Sequence, residues 1–555
     1  MHFIQLRFLP LTLCVIGLVA SAVAFLLWPS YDTFFFWPLA VCAALVGVGI
    51  SDLLQRSRSI LRNYPVIGHL RFIFEAIRPE MRQYFFESDL DGAPFSREQR
   101  AVVYQRAKNQ LDKKPFGTLS DVYENGYEWM LHSLWPTTVP ESALRVEIGG
   151  PKCKQPYSAS ILNISAMSFG ALSANAIRAL NAGAKAGGFA HDTGEGSISP
   201  YHLENGGDLI WEIGSGYFGC RNLDGSFSET AFVRNARRPE VKMIEIKLNQ
   251  GAKPGHGGVL PAAKITEEIA LIRGIRMGED CVSPARHPAF STPRELMFFI
   301  DKLRDLSDGK PIGFKLCPGR HEEINDLIMA MRDTGIVPDF IVVDGKEGGT
   351  GAAPAEFIDN LGMPLREGLS LIHSSLAAAG LRDKLKIGAA GKIVTGYDMA
   401  RTLALGADWC NAARAFMFSL GCVQAQACHT GRCPTGVATQ DLSRQRAIDV
   451  PNKAKRVENF HRGTVASLAD LMATKVKVVL QRAEAKDYRD IAAMIKAGVS
   501  LSRGLASARQ LYGPNFQPSE SLKALVYFND GDLKTLTADE KQTLVDAVAF
   551  LGERP

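Results

Sequence analysis

Between about residues 155 and 440 a short apolar run, a glycine-rich polar loop and a helical stretch follow one another repeatedly, and this alternation constrains the fold more than any other feature. Strands that alternate with helices pair in parallel, because each helix carries the chain back to the end where the next strand begins. The runs with strand character are Ser160–Ser165, Gly188–His191, Val241–Leu248, Cys281–Ser283, Ile312–Leu316, Phe340–Val343, Leu385–Gly388 and Trp409–Ala412; Leu209–Ile213 is set aside as part of an insertion. Eight such strands predict an α/β fold of the closed (β/α)8 TIM-barrel type, with a doubly wound open sheet as the alternative.

In such a barrel the loops after the strands gather at one end, where barrel enzymes carry their active sites. Here they are polar and rich in glycine: Met167-Ser-Phe-Gly170, Asp192-Thr-Gly-Glu-Gly196, and the runs from Asn249 to Gly255, Asp344 to Gly351 and Ala389 to Gly396. Glycine lets the backbone approach a ligand and aim its N–H groups at it. Gly391 and Lys392 follow the seventh predicted strand, and Arg414 and Ala415 the eighth, which is the phosphate position of this fold. A phosphorylated cofactor is expected there; a turn-rich rim without a ligand is the plainer alternative. Gly214-Ser-Gly-Tyr-Phe-Gly219 has the spacing of a dinucleotide fingerprint, but the residues after it, Cys220 to Ser226, are no helix start. No nicotinamide-binding domain is expected, so electrons have to come from a partner.

The ten cysteines are too sparse for a disulfide scaffold, and their spacing is what informs. Cys422, Cys428 and Cys433 follow the eighth predicted strand and its helix as C-x5-C-x4-C, with Pro434 behind the last. Thiolates are soft ligands suited to iron–sulfur clusters, and three ligands suggest a cluster short of one iron. The same spacing admits zinc, with His429 as a fourth ligand, or three structural cysteines. The other seven cysteines lie scattered, mostly in apolar settings, and read as packing.

Near the N-terminus, Phe8–Trp28 and Phe34–Ile50 carry no charge and are each about long enough to cross a bilayer as a helix. Arg7 precedes the first, while Arg56, Arg58 and Arg62 follow the second, so a transmembrane hairpin with both ends cytoplasmic is expected, in an inner or cytoplasmic membrane. A cleaved signal peptide and a buried core hairpin are the alternatives. Ile67, Leu70, Phe74 and Ile77 then recur at helical spacing beside His69, Arg71 and Arg78; this helix either lies on the membrane lipid or packs on the main domain. Ser96 and Gln99 form a capping-box pattern for a helix through Lys108. The resulting organisation is a hairpin at 1–55, a basic helical segment at 56–150, the barrel at 151–440 and a helical extension at 441–555. In that extension Val457, Phe460, Thr464, Leu468 and Leu471 mark one helix face, suited to packing on the barrel or on another copy in a homo-oligomer. A net charge of +5, from 63 basic and 58 acidic residues, gives no footprint for nucleic acid.

Five ordered motifs resemble the FMN-binding synthase domain of glutamate synthase. They are Ile164 to Ser173, Thr193-Gly-Glu-Gly196, Ile244 to Gly255, Gly348 to Pro354 and Cys422 to Gln440, and the match covers about half the chain. The resemblance implies a barrel holding FMN on its rim and a 3Fe-4S cluster on Cys422, Cys428 and Cys433. It implies electrons passing from cluster to FMN, and hydride transfer from reduced flavin to the imine formed from 2-oxoglutarate and ammonia. Within that frame Lys247, on the third predicted strand, is expected to face the flavin where reduction builds negative charge. Lys253 is expected to hold a substrate carboxylate, and Glu195 to relay a proton to the imine or polarise it. Met167 and Ser168 would lie against the ring, with Gln250 and Lys315 on the floor and Gly349, Thr350 and Gly351 along the cofactor.

Two substrate motifs depart from the family pattern. The usual Lys-Pro-Gly-Glu-Gly-Gly-Gln-Leu-Pro reads Lys253-Pro-Gly-His-Gly-Gly-Val-Leu-Pro261, placing His256 and Val259 where the family has a carboxylate and an amide. The Pro-Pro-Pro-His-His-Asp stretch reads Pro284-Ala-Arg-His-Pro-Ala289, with Arg286 as a possible replacement carboxylate clamp. The family's glutaminase domain and β-helix have no counterpart here, so ammonia is expected to be free or supplied by another protein. The expected activity is therefore reductive amination of 2-oxoglutarate, by an oxidoreductase of the CH–NH2 class fed by a donor protein or quinone. A related amine or imine reaction on another 2-oxo acid or N-substituted glutamate is the second reading, and a membrane electron-relay or scaffold subunit without turnover is the third.

Overall fold

The computed structural model describes residues 6–55, 57–110, 112, 115–129, 144–465, 485–496, 499–512, 517–529 and 533–552. The chain divides into two units at Arg97 and Glu98. In the first, α1 (Leu9–Leu27) and α2 (Asp32–Leu54) are joined by a turn at Pro29–Tyr31 and run antiparallel, Gly17 lying against Cys42 and Gly49 against Leu11. Both are long and apolar enough to cross a membrane, with mean hydropathies of 2.4 and 2.1, and few of their residues are buried. The amphipathic helix α3 (Gly68–Met81) follows.

In the second unit eight strands close into a barrel whose neighbours all pair in parallel: β1 (Leu162–Ile164), β2 (His191–Asp192), β3 (Leu209–Ile213), β4 (Val241–Lys247), β5 (Ile312–Leu316), β6 (Phe340–Asp344), β7 (Lys386–Ala390) and β8 (Trp409–Ala412). The barrel is the one expected, but two of its strands are assigned differently. Leu209–Ile213 is β3, buried at every position, with Trp211 stacked outward on Phe232 and Glu212 turned inward to Lys315. Cys281–Val282 is no barrel strand: it pairs antiparallel with Val259–Leu260, inside the long insertion between β4 and β5. A barrel strand must be shielded on both faces, and Val282 is 58% exposed. Lys247 consequently ends the fourth strand rather than the third.

The barrel interior is layered. Its N-terminal end is apolar, filled by Ile210, Met243, Phe340, Val342 and Trp409 and closed by the antiparallel ribbon Arg145–Ile148 and Tyr157–Ser160. Above that layer the inward side chains become charged: Asp192, Glu212, Glu245 and Lys315.

The helix expected after Ser96 is α4 (Arg97–Ala107); the Tyr104 hydroxyl donates to the Cys422 carbonyl (2.6 Å) and its ring meets Phe418 edge-on. The segment expected at 56–150 is thus divided, its first part in one unit and α4 against the cysteine loop in the other. After β1 comes α5 (Ala174–Gly187), and after β8 the short α6 (Arg414–Leu420). The helix α7 (Val450–Thr464) packs on α5, where a Cβ on Gly183 would collide with Val457. Its His461 stacks on Phe189 and hydrogen-bonds Ser160 Oγ (3.0 Å) and the Leu162 carbonyl (3.1 Å) at the foot of β1. Val457, Phe460 and Thr464 are buried; Leu468 and Leu471 lie outside the described residues. The helices from 485 to 552 close around a core of their own that includes Tyr488, Ile491, Leu505 and Leu544.

Candidate active site

At the C-terminal ends of the strands lies a cavity of about 1000 Å³, counted to its solvent-open mouth. Glu195, Lys247 and Lys253 all line it, as do Met167, Ser168, Gln250, Gly349, Thr350, Gly351 and Arg414. Strand ends and the loops just after them carry these side chains, which is why residues some 200 positions apart in the chain meet here.

At its centre Lys247 Nζ donates to Glu195 Oε1 at 2.7 Å, and both groups are largely shielded from water. Burial alone raises a carboxyl pKa, but the Lys247 ammonium, with Arg273 and Lys253 behind it, holds Glu195 at about 2. Burial likewise favours neutral lysine, and Glu195 overrides it, leaving Lys247 raised. The pair is therefore fully ionised. Gly214 and Gly258 flank the carboxylate so closely that a Cβ at either would sit on it. Of the dinucleotide-like glycines, Gly214 thus packs against this carboxylate while Gly216 and Gly219 meet Phe218 and Ser197, and they open no helix. His287 fixes the strand end by donating from Nε2 to the Lys247 carbonyl (2.8 Å), its other ring nitrogen facing the Tyr217 hydroxyl (3.2 Å).

Lys253 is buried and donates to the Ala352 carbonyl (2.8 Å). Desolvation first, then the Lys247 charge, lowers its pKa to about 8, so near neutrality it can give up a proton, which Glu195 at about 2 cannot.

Arg414 Nη2 donates to the Thr350 carbonyl (2.8 Å), and a Cβ on Gly349 would strike the guanidinium. Four other expected residues stand elsewhere. Lys315 lies beneath the floor, bonded to Glu212 and 3.1 Å from Glu245, because β5 presents it to the barrel axis. Gly391 packs against Leu365, Lys392 takes a left-handed backbone conformation, and Ala415 is buried in the first turn of α6; none lines this cavity.

The insertion between β4 and β5 supplies residues that sequence reasoning missed. Arg273, buried, donates to Ser168 Oγ (3.2 Å) and the Phe169 carbonyl (3.1 Å). Ser283 Oγ reaches Glu195 Oε2 at 3.5 Å. Lys264, buried, donates to the carbonyls of Ala171 (2.7 Å) and Cys428 (3.1 Å), tying the cavity wall to the cysteine loop. Only Arg273, a lone charge after Ile269-Ala-Leu-Ile272, had any signal in the sequence. Arg286, by contrast, is exposed and off the cavity, since its neighbour His287 takes the inward position. His256 lies edge-on to Phe357 outside the cavity, whereas Val259 lines it.

Cys428 and His429 form part of the cavity wall. The Cys422 thiol receives the Gln424 amide at 3.5 Å and is pushed up to about 11 by burial. Cys433 is buried too, yet its thiol is lowered, because the Thr435 hydroxyl and the amides of Thr435, Val437 and Ala438 point at the sulfur.

Fold and site together define a parallel α/β-barrel protein with an ion-paired, cation-rich pocket that Cys428 of the cysteine loop helps to line. Residues 145–477 match the family model described as the conserved region in glutamate synthase. The chain belongs to the glutamate synthase family, whose members are oxidoreductases of the CH–NH2 class. It is 40% identical over 452 residues to the glutamate synthase large subunit-like protein YerD of Bacillus subtilis, covering 74% of this chain and 86% of that one. It is 34% identical over 312 residues to the archaeal-type glutamate synthase (NADPH) of Dehalococcoides mccartyi, covering 56% of this chain and 58% of that enzyme. Among solved structures, a mandelate oxidase variant aligns at 16% identity with a TM-score of 0.33, over 60% of this chain and 83% of that one.

Proposed function

We propose that the protein is an FMN- and iron–sulfur-dependent oxidoreductase of glutamate-synthase type that reductively aminates 2-oxoglutarate, or a close 2-oxo acid, with electrons from a partner. The observation that carries this reading is one cavity lined by the Lys247–Glu195 pair, Lys253, Arg273 and Cys428 together. Five cationic side chains line the cavity against two carboxylates, which suits an anionic flavin phosphate and a dicarboxylate substrate. The backbone at Gly349–Gly351, with Arg414, Met167, Ser168 and Gln250, would hold the flavin, which supplies hydride chemistry when bound.

The three cysteines suit a 3Fe-4S cluster, since polar hydrogens already face Cys422 and Cys433. Tetrahedral zinc would need sulfurs about 3.8 Å apart. Among the described residues, the trio of metal-ligating side chains gathered within 4.8 Å is Asp192, Glu212 and Glu245, not these thiols. In this reading α1 and α2 anchor the protein in a cytoplasmic membrane, barrel side inward.

The residues then divide the work. Ionised Glu195 holds the cationic amine or iminium, Lys247 faces developing negative charge, and Arg273 and Lys253 take substrate carboxylate. Lys253 also lies nearest in pKa to proton transfer at neutral pH. Turnover is expected to fall as pH rises through about 8, where the Lys253 ammonium is lost. Lys253→Arg keeps the charge but releases no proton: retained turnover with a flat profile identifies a clamp, and lost turnover a proton donor.

The deciding experiment reduces the purified protein anaerobically, adds 2-oxoglutarate with ammonium, and follows flavin absorbance and glutamate. Flavin reoxidation with glutamate formed is expected. A flavin that stays reduced would defeat this substrate assignment, and a colourless protein would defeat the cofactor assignment.

A further inference from the structure

The first unit carries an apolar face that its own elements leave uncovered. At 100° per residue, Ile67, Leu70, Phe74, Ile77 and Met81 fall in one stripe along α3, and all five are exposed, Phe74 by 63%. Arg71, Arg78 and Arg82 run along one edge of that stripe. From Gln55 to Phe86 the sequence holds six arginines against two glutamates.

The depth of this helix is set by a buried anchor. Asp52 lies in the last turn of α2, the first charge after 19 uncharged residues. It is 4% exposed and accepts the Val66 amide (2.9 Å) and His69 Nε2 (2.8 Å). These bonds hold the first turn of α3 level with the end of the apolar span. If α2 crosses a bilayer, α3 begins at headgroup depth.

We propose that α3 lies in the surface plane of an anionic bilayer, its Leu70, Phe74 and Ile77 face in the acyl boundary and its arginine edge on lipid phosphates. The proposal rests on the membrane-anchor reading and extends it to a second, charge-selective attachment. Three features together favour a lipid occupant: an exposed apolar stripe, a basic edge able to snorkel, and continuity with two lipid-compatible helices. An apolar face left in water beside the span would be costly, and the lipid surface is the nearest apolar phase.

The test places a photo-crosslinking amino acid at Phe74, Glu75 or Val19 of the full chain, reconstituted in vesicles of phosphatidylcholine and phosphatidylglycerol. Lipid adducts are expected at Val19 in α1 and at Phe74, several-fold fewer at Glu75, with phosphatidylglycerol enriched over its bulk share at Phe74. Adducts at Val19 but not at Phe74 would overturn this inference and leave the anchor standing. Adducts at neither would overturn both, and adducts at Phe74 in bulk lipid proportion would overturn the anionic preference.

Discussion

Lys247→Met is expected to destabilise the protein by about 3 kcal/mol and to slow flavin reoxidation by substrate about 10²- to 10³-fold. Removing one partner of a largely buried ion pair leaves the other poorly compensated, and Glu195 is held closely between Gly214 and Gly258. Arg273 and Lys253 still act on the carboxylate, which places the loss at the lower end of the usual range. The pH dependence should change sign. In the wild type the Glu195 pKa is depressed from 4.5 to about 2, so its stabilisation is complete above 4.5 and is lost only as pH falls toward 2. In the variant burial dominates and raises that pKa, so stability should increase as pH falls from 7 to 5. Denaturation midpoints of both proteins at the two pH values check this; identical midpoints and slopes would mean the pair carries no energetic weight.

Cys428→Ser is expected to bring iron to background while leaving flavin absorbance in place. A serine hydroxyl is a hard ligand where a soft thiolate is required. The loop itself should persist, because Lys264 grips it through the Cys428 carbonyl and Tyr104 through that of Cys422, neither through sulfur. Reduction by an external donor should then fail, while chemically reduced flavin still reoxidises with substrate. Iron analysis with electron paramagnetic resonance checks the first point, and unchanged iron would overturn the ligand assignment.

How far the site was legible follows from where its residues lie. Glu195, Lys247 and Lys253 stand within the motifs that carry the family resemblance, so the sequence brought them forward. Lys264, Arg273 and Ser283 come from the insertion between β4 and β5, which has no periodic pattern, and they reach the cavity only because Val259–Leu260 pairs with Cys281–Val282 and folds the insertion over the rim. Lys315 was misread for another reason. A strand's alternation says that a side chain points inward, but not how far below the rim it lies.

The same contrast runs through the fold. Alternating apolar runs and helical stretches determined a parallel α/β barrel, and the two uncharged runs determined long apolar helices, since each is a local pattern of polarity. Which runs close the barrel was decided by tertiary structure alone: five residues from Leu209 to Ile213 enter because Trp211 finds Phe232 outside and Glu212 finds Lys315 inside. Such pairings join residues about 20 to 100 positions apart, and burial on both faces of a strand is a property of those partners rather than of the strand's own sequence.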